Sequence, residues 1–171
     1  MNTTAVETKA AGKRAAALAD RIVEGAELLA TFAEGLSEAE WSLPVTATDK
    51  RTVGVIVHHV ANMYPIEIGA VLAIAGGNAV TDVTWDAVAQ INAGHAAEKV
   101  EVTKSEAIEL LRKNSVEAAE AVRGMTDEEL DTAAPFSLSY GAPVTAQFVI
   151  EDHPLRHPWH HLARIKTAVG R

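Results

Sequence analysis

The chain has no cysteine, which excludes disulfide stapling, a thiolate metal site and a cysteine nucleophile together. Any metal must then be held by histidine, carboxylate or water. Aromatic residues make up only 5%, and no stretch reaches the roughly 18 uninterrupted apolar residues that a membrane span needs. The first residues lack the basic stretch and apolar run of a secretory signal, so a cytoplasmic protein with no membrane partner is expected. Basic residues are in deficit, with 15 Lys and Arg against 23 Asp and Glu and a formal net charge of −8. Phosphate backbones are bound by clustered Lys and Arg that release counterions. Here Lys9, Lys13 and Arg14 are interspersed with alanine and acids and read as one solvated helix face, so nucleic acid is not an expected partner. A Ser-His-Asp set, a glycine-rich phosphate loop and a spaced carboxylate pair are also missing, and no catalytic residue can be named.

What is present is enough apolar residue, 48% of 171, for a single domain over residues 1–171 to bury a core. Leu18, Ile22, Leu29 and Leu36 recur at near-heptad spacing and predict a long amphipathic helix from about Val6 to Glu34, ended by Gly35. Ser37 to Glu40 has the S-x-x-E capping pattern of a short turn through Trp41. Thr48 or Asp49 can cap a second helix that carries Val53, Ile56, Val57, Val60, Met63, Ile68, Val71 and Leu72 inward and stops at Gly76-Gly77. Pro65 predicts a kink near Asn62 to Tyr64. A weaker helix spans Thr84 to about Glu98. Thr103 to Glu106 is a capping box that opens a helix to Gly124, with Leu110, Leu111 and Val122 inward. After a cap pattern at Thr126 to Glu129, the stretch from Thr132 to Val144 is expected as a crossover loop, and a last helix as Thr145 to Val169. Period-2 alternation is absent, so the pattern specifies an all-α four-helix bundle. Trp41, Trp85 and Trp159 are expected as packing anchors.

The histidines cluster at His58-His59 and at His153, His157, His160 and His161. At about 100° per residue, His157 and His161 share a helix face one turn apart, with Ile150, His153 and Ile165 along the same stripe, while His160 aligns with Arg156, Arg164 and Thr167 and points outward. His59 lies beside Ile56 and Met63 on the apolar stripe, whereas His58 shares its face with Gly54, Ala61 and Asn62. His59, His157 and His161 are therefore the candidate metal ligands. Three neutral imidazoles suit Zn²⁺ or Ni²⁺ and leave a position for water or substrate. Partly buried structural histidines are common, so spacing alone leaves a metal site and simple packing both open. Asn62, Tyr64, Glu67 and Asp152 are near enough in sequence to stand behind the ligands, though capping or surface roles suit each of them as well.

The run TVGVIVHHVAN at residues 52–62, the helix expected to kink after it, and HPLRHPWHHLARI at residues 153–165 resemble the DinB-like family, related to thiol-dependent S-transferases and maleylpyruvate isomerase-like proteins. The resemblance covers nearly the whole chain by order and length of helices. It implies crossover connectivity, a homodimer, and zinc or nickel held by one histidine of the second helix and an H-x-x-x-H of the fourth, which fall on His59, His157 and His161. It also implies a small-molecule substrate and, in some branches, transfer or isomerisation with a low-molecular-weight thiol such as mycothiol or bacillithiol. Two departures stand out. Arg164 replaces a glutamine common in the family, and Pro154 and Pro158 interrupt the ligand helix, a shift that could make His153 and His157 the pair instead.

Overall fold

The computed structural model describes residues 12–171, so the expected helix start at Val6 lies outside the described residues. Helix α1 (Lys13–Glu34) buries Ala15, Ala19, Ile22, Ala26, Leu29, Ala30 and Ala33 along one stripe. Its small residues let neighbouring helices approach closely. Gly25 is one such close approach, since a Cβ there would stand 2.6 Å from the indole nitrogen of Trp159 and 3.0 Å from Pro158. The short α2 (Glu38–Trp41) has the predicted capping box, with Ser37 and Glu40 each receiving the other's backbone N–H.

The second main helix, α3 (Val53–Ala75), begins later than expected. Thr52 caps it by accepting the N–H of Val55, while Asp49 is occupied by Arg51 and Arg164. Every residue from Val53 to Ala61 is buried, so this part of the helix is enclosed on all sides rather than amphipathic. It runs unbroken through Pro65, which is exposed. Leu72, expected inward, is exposed, and Ile74 is buried in its place. Gly76 and Gly77 end the helix, Gly77 in the left-handed conformation.

Helix α4 (Trp85–Glu98) is capped by Thr84 and buries no residue. Trp85 is 54% exposed and is not a packing anchor, whereas Trp41 is buried with its indole N–H donated to the carbonyl of Val102. Helix α5 (Lys104–Arg123) packs on α1 and α3. Its capping box is half made: the Thr103 hydroxyl accepts the Glu106 N–H, but the Glu106 carboxylate turns to Lys99.

After α6 (Asp127–Asp131), with both halves of its capping box present, the expected crossover loop is a small hairpin. Strand β1 (Ala133–Pro135) pairs antiparallel with β2 (Pro143–Thr145) through a 3-10 turn at Ser137–Ser139. Strands of three residues that carry prolines give no readable alternation. The last helix is one rod of three parts: α7 (Ala146–Ile150), a wide π turn at Glu151–Leu155 and α8 (Arg156–Ala168). Pro154 cannot donate to the carbonyl one α-turn back, and the widened turn absorbs that loss.

Ion pairs and contacts set the helix directions. Arg14 meets Asp131, Arg123 meets Asp20 and Arg112 meets Glu27, so α1 runs antiparallel to the segment from α5 to α6. His58 faces Glu106 and Ala61 accepts from Asn114, so α3 and α5 run parallel. Parallel neighbours need a long return, and the connection that carries α4 supplies it. Glu67 meets His157 and Asp49 meets Arg164, which sets α8 antiparallel to α3. The result is a four-helix bundle in which α1 and α3 are both flanked by α5 and by the α7–α8 rod.

Candidate metal centre

The π turn determines which histidines meet. It ends before Arg156, so His157 and His161 lie within regular α-helix and keep one face one turn apart. His153, on the turn itself, packs against Phe136 with ring centroids 5.5 Å apart. The alternative pair His153 and His157 is therefore not the one assembled.

His59 of α3 faces the α8 pair, with ring centroids 5.0 Å from His157 and 5.5 Å from His161. One ring nitrogen from each of His59, His157 and His161 falls within 4.8 Å of the others. His59 and His161 are buried and His157 is half-buried, while His160 is exposed as expected. Burial, reinforced by the neighbouring His157, pushes His59 down to about 2. Burial and then His157 and His59 hold His161 well below the usual histidine range. These rings stay neutral with lone pairs available, which is the form that ligates a metal.

Behind His157 stands Glu67, its Oε1 2.8 Å from His157 Nδ1. The contact has ion-pair distance without hydrogen-bond alignment, and Glu67 Oε2 has no hydrogen-bond partner among the described residues. A carboxylate at this nitrogen favours the tautomer that frees the other for a metal. Of the four residues considered as supports, Glu67 is the one at the triad. The buried Tyr64 neighbours Glu67 electrostatically, with burial and then Glu67 raising its hydroxyl far above the ordinary tyrosine value. Asn62 lines a separate cleft beside α5, and Asp152 pairs with Arg156.

His58 does not join the triad. Its Nδ1 lies 2.8 Å from Nε2 of His95 on α4, and the His95 ring packs 5.7 Å from His59. Burial lowers both rings' proton affinity, so the pair shares one hydrogen bond between neutral imidazoles. His95 is the site neighbour that sequence reading missed. It stands alone on a weakly patterned helix, and its distance of 37 residues from His58 gave no local signal.

The donor set fits a divalent transition ion. It comprises three ring nitrogens, a carboxylate behind one of them, and a buried His161 Nδ1 with no hydrogen-bond partner among the described residues.

Comparison with known proteins agrees with this architecture. YfiT from Bacillus subtilis, described as a probable metal-dependent hydrolase with an unusual four-helix bundle topology, superposes with a TM-score of 0.74 over 100% of this chain and 92% of its own, at 15% identity. At that identity the likeness shows the fold. No curated protein matches the chain. The family model of the DinB superfamily matches residues 21–165, most of the bundle and all three triad histidines, and the chain belongs to that superfamily.

Proposed function

We propose that the protein is a divalent-metal-dependent enzyme in which His59, His157 and His161 hold one zinc or nickel ion. The carrying observation is the triad itself: three ring nitrogens from two helices within 4.8 Å, in a buried setting that keeps His59 and His161 neutral. Three protein ligands leave a coordination position open, which is the pattern of catalytic rather than structural zinc. An ion there supplies Lewis acidity, lowering the pKa of a bound water or thiol. The residues of the chain do the rest. Glu67 orients the His157 ring, and His58 holds His95 against His59.

Both hydrolysis by water and transfer or isomerisation with a low-molecular-weight thiol, such as mycothiol or bacillithiol, are consistent with this site. The likeness to YfiT, a probable metal-dependent hydrolase, supports the first, and the resemblance to thiol-dependent relatives supports the second. A cytoplasmic homodimer acting on a small molecule completes the reading.

The test is metal content by mass spectrometry on untagged protein. About one zinc or nickel per chain, lost in His157→Ala, is expected; no ion after loading with either metal would overturn the reading. Turnover screens with water-labile esters and with small-thiol conjugates then separate the two chemistries. Glu67→Gln is expected to keep the ion but weaken its affinity roughly tenfold to a hundredfold. A chelator competition titration that gives equal affinities would remove Glu67 from the centre.

A further inference from the structure

Arg51, the residue before the cap of α3, donates Nε and Nη2 to the two oxygens of Asp49 at 2.9 and 2.8 Å. Asp49 Oδ2 also accepts from Arg164 Nη2 at 3.0 Å. Arg164 is three residues beyond His161 on α8, about 4.5 Å along the helix axis. Two guanidinium groups thus share one carboxylate next to the triad, and the cluster carries excess positive charge. All three side chains are largely covered, at 22% exposure for Arg51, 18% for Asp49 and 27% for Arg164.

The remaining guanidinium nitrogen, Nη1 of Arg51, is buried without a hydrogen-bond partner among the described residues. A buried charged donor left unmade is costly, so the position selects for an acceptor brought from outside. Through Asp49 and Arg164 the cluster is tied to α8, the helix that carries His157 and His161. The imidazoles bring no negative charge to balance a dication. Glu67, the buried carboxylate at the triad, sits behind His157.

We infer that Arg51, braced by Asp49 and Arg164, is the recognition group for an oxyanion on the ligand of this site, its free Nη1 taking one anionic oxygen. The inference rests on the triad as a metal centre and names the substrate class as anionic. It also gives a role to Arg164: by drawing on Asp49, it leaves the charge of Arg51 incompletely neutralised.

The experiment is isothermal titration calorimetry of malonate, and separately of inorganic phosphate, into untagged zinc-loaded and metal-free protein, with zinc measured on the same samples. Arg51→Gln is expected to weaken anion binding roughly tenfold to a hundredfold while zinc is retained. Arg164→Gln should weaken it less, because Asp49 then neutralises Arg51 fully. Arg123→Gln, which removes the same charge where Arg123 pairs with Asp20, should change nothing. Whichever anion binds tighter identifies carboxylate or phosphate as the class. Equal binding by wild type and Arg51→Gln, or an equal loss in Arg123→Gln, overturns the inference. Should Arg51→Gln not fold, unchanged binding in Arg164→Gln overturns it. Zinc absent while Arg51-dependent anion binding persists overturns the metal reading alone, and no anion binding in either form overturns this one.

Discussion

His59→Ala is expected to abolish the stabilisation that zinc confers on the wild-type protein. Two ligands one turn apart on α8 remain in the variant, but the third comes from α3 across the bundle, and only the trio ties the two helices through one ion. A ligand that binds the folded state alone stabilises by about 2.7 kcal/mol at a hundredfold excess over its Kd. For a domain of this size that is a rise in Tm of roughly 5–10 °C. Thermal unfolding with and without zinc reads the difference directly. His160→Ala, on the exposed face of the same helix, serves as the control and should keep the full shift. An undiminished shift in His59→Ala would remove that residue from the centre.

The metal-free protein should also be unusually sensitive to mild acid. His59 and His161 bind protons far more weakly in the folded chain than in the unfolded one, chiefly because burial penalises the charged ring. Above about pH 6.5 both rings are neutral in either state and contribute no slope. Below it the unfolded chain takes up protons that the folded one refuses. Stability then falls by up to about 1.4 kcal/mol per ring for each pH unit, a slope that for His59 would extend toward its folded value of about 2. With a total stability of about 5–15 kcal/mol, the bundle would open within the first few units. Denaturant midpoints of chelator-treated protein at about pH 7.5 and about pH 5.5 measure this. Bound metal should flatten the profile until protons displace it, and a flat profile without metal would contradict the burial of these rings.

The helix ends that carry their own chemistry were legible. Ser37 and Thr126 cap as their S-x-x-E and T-x-x-E patterns require, and Thr145 begins the last helix as expected. The placement of His157 and His161 on one face of the last helix followed from helical phase. The choice of His59 over His58 did not rest on a sound premise, however, because α3 is buried on every side there and has no solvent face to sort them. Long-range partners decided it: His58 is taken by His95 and His59 by the α8 pair. The start of α3 was misjudged for a related reason. Asp49 has the side chain of a cap but is drawn off by two arginines, one of them 115 residues away. Trp85 failed as an anchor because α4 has no packed face to offer it.

The wide turn at Glu151–Leu155 bears on how this chain is aligned with others. Buried positions along the C-terminal rod run from Ala146 to Ile165, nineteen residues apart, and mark about five turns. Five regular α-turns take about eighteen residues. The surplus residue is housed where Pro154 breaks the ladder. Removing one residue there would swing everything downstream by about 100° about the helix axis, taking His157 and His161 away from His59 with their spacing intact. A shared H-x-x-x-H is therefore an incomplete criterion of equivalence between two such chains. The residue count between that motif and the start of the rod must also agree, or the same motif faces a different neighbour.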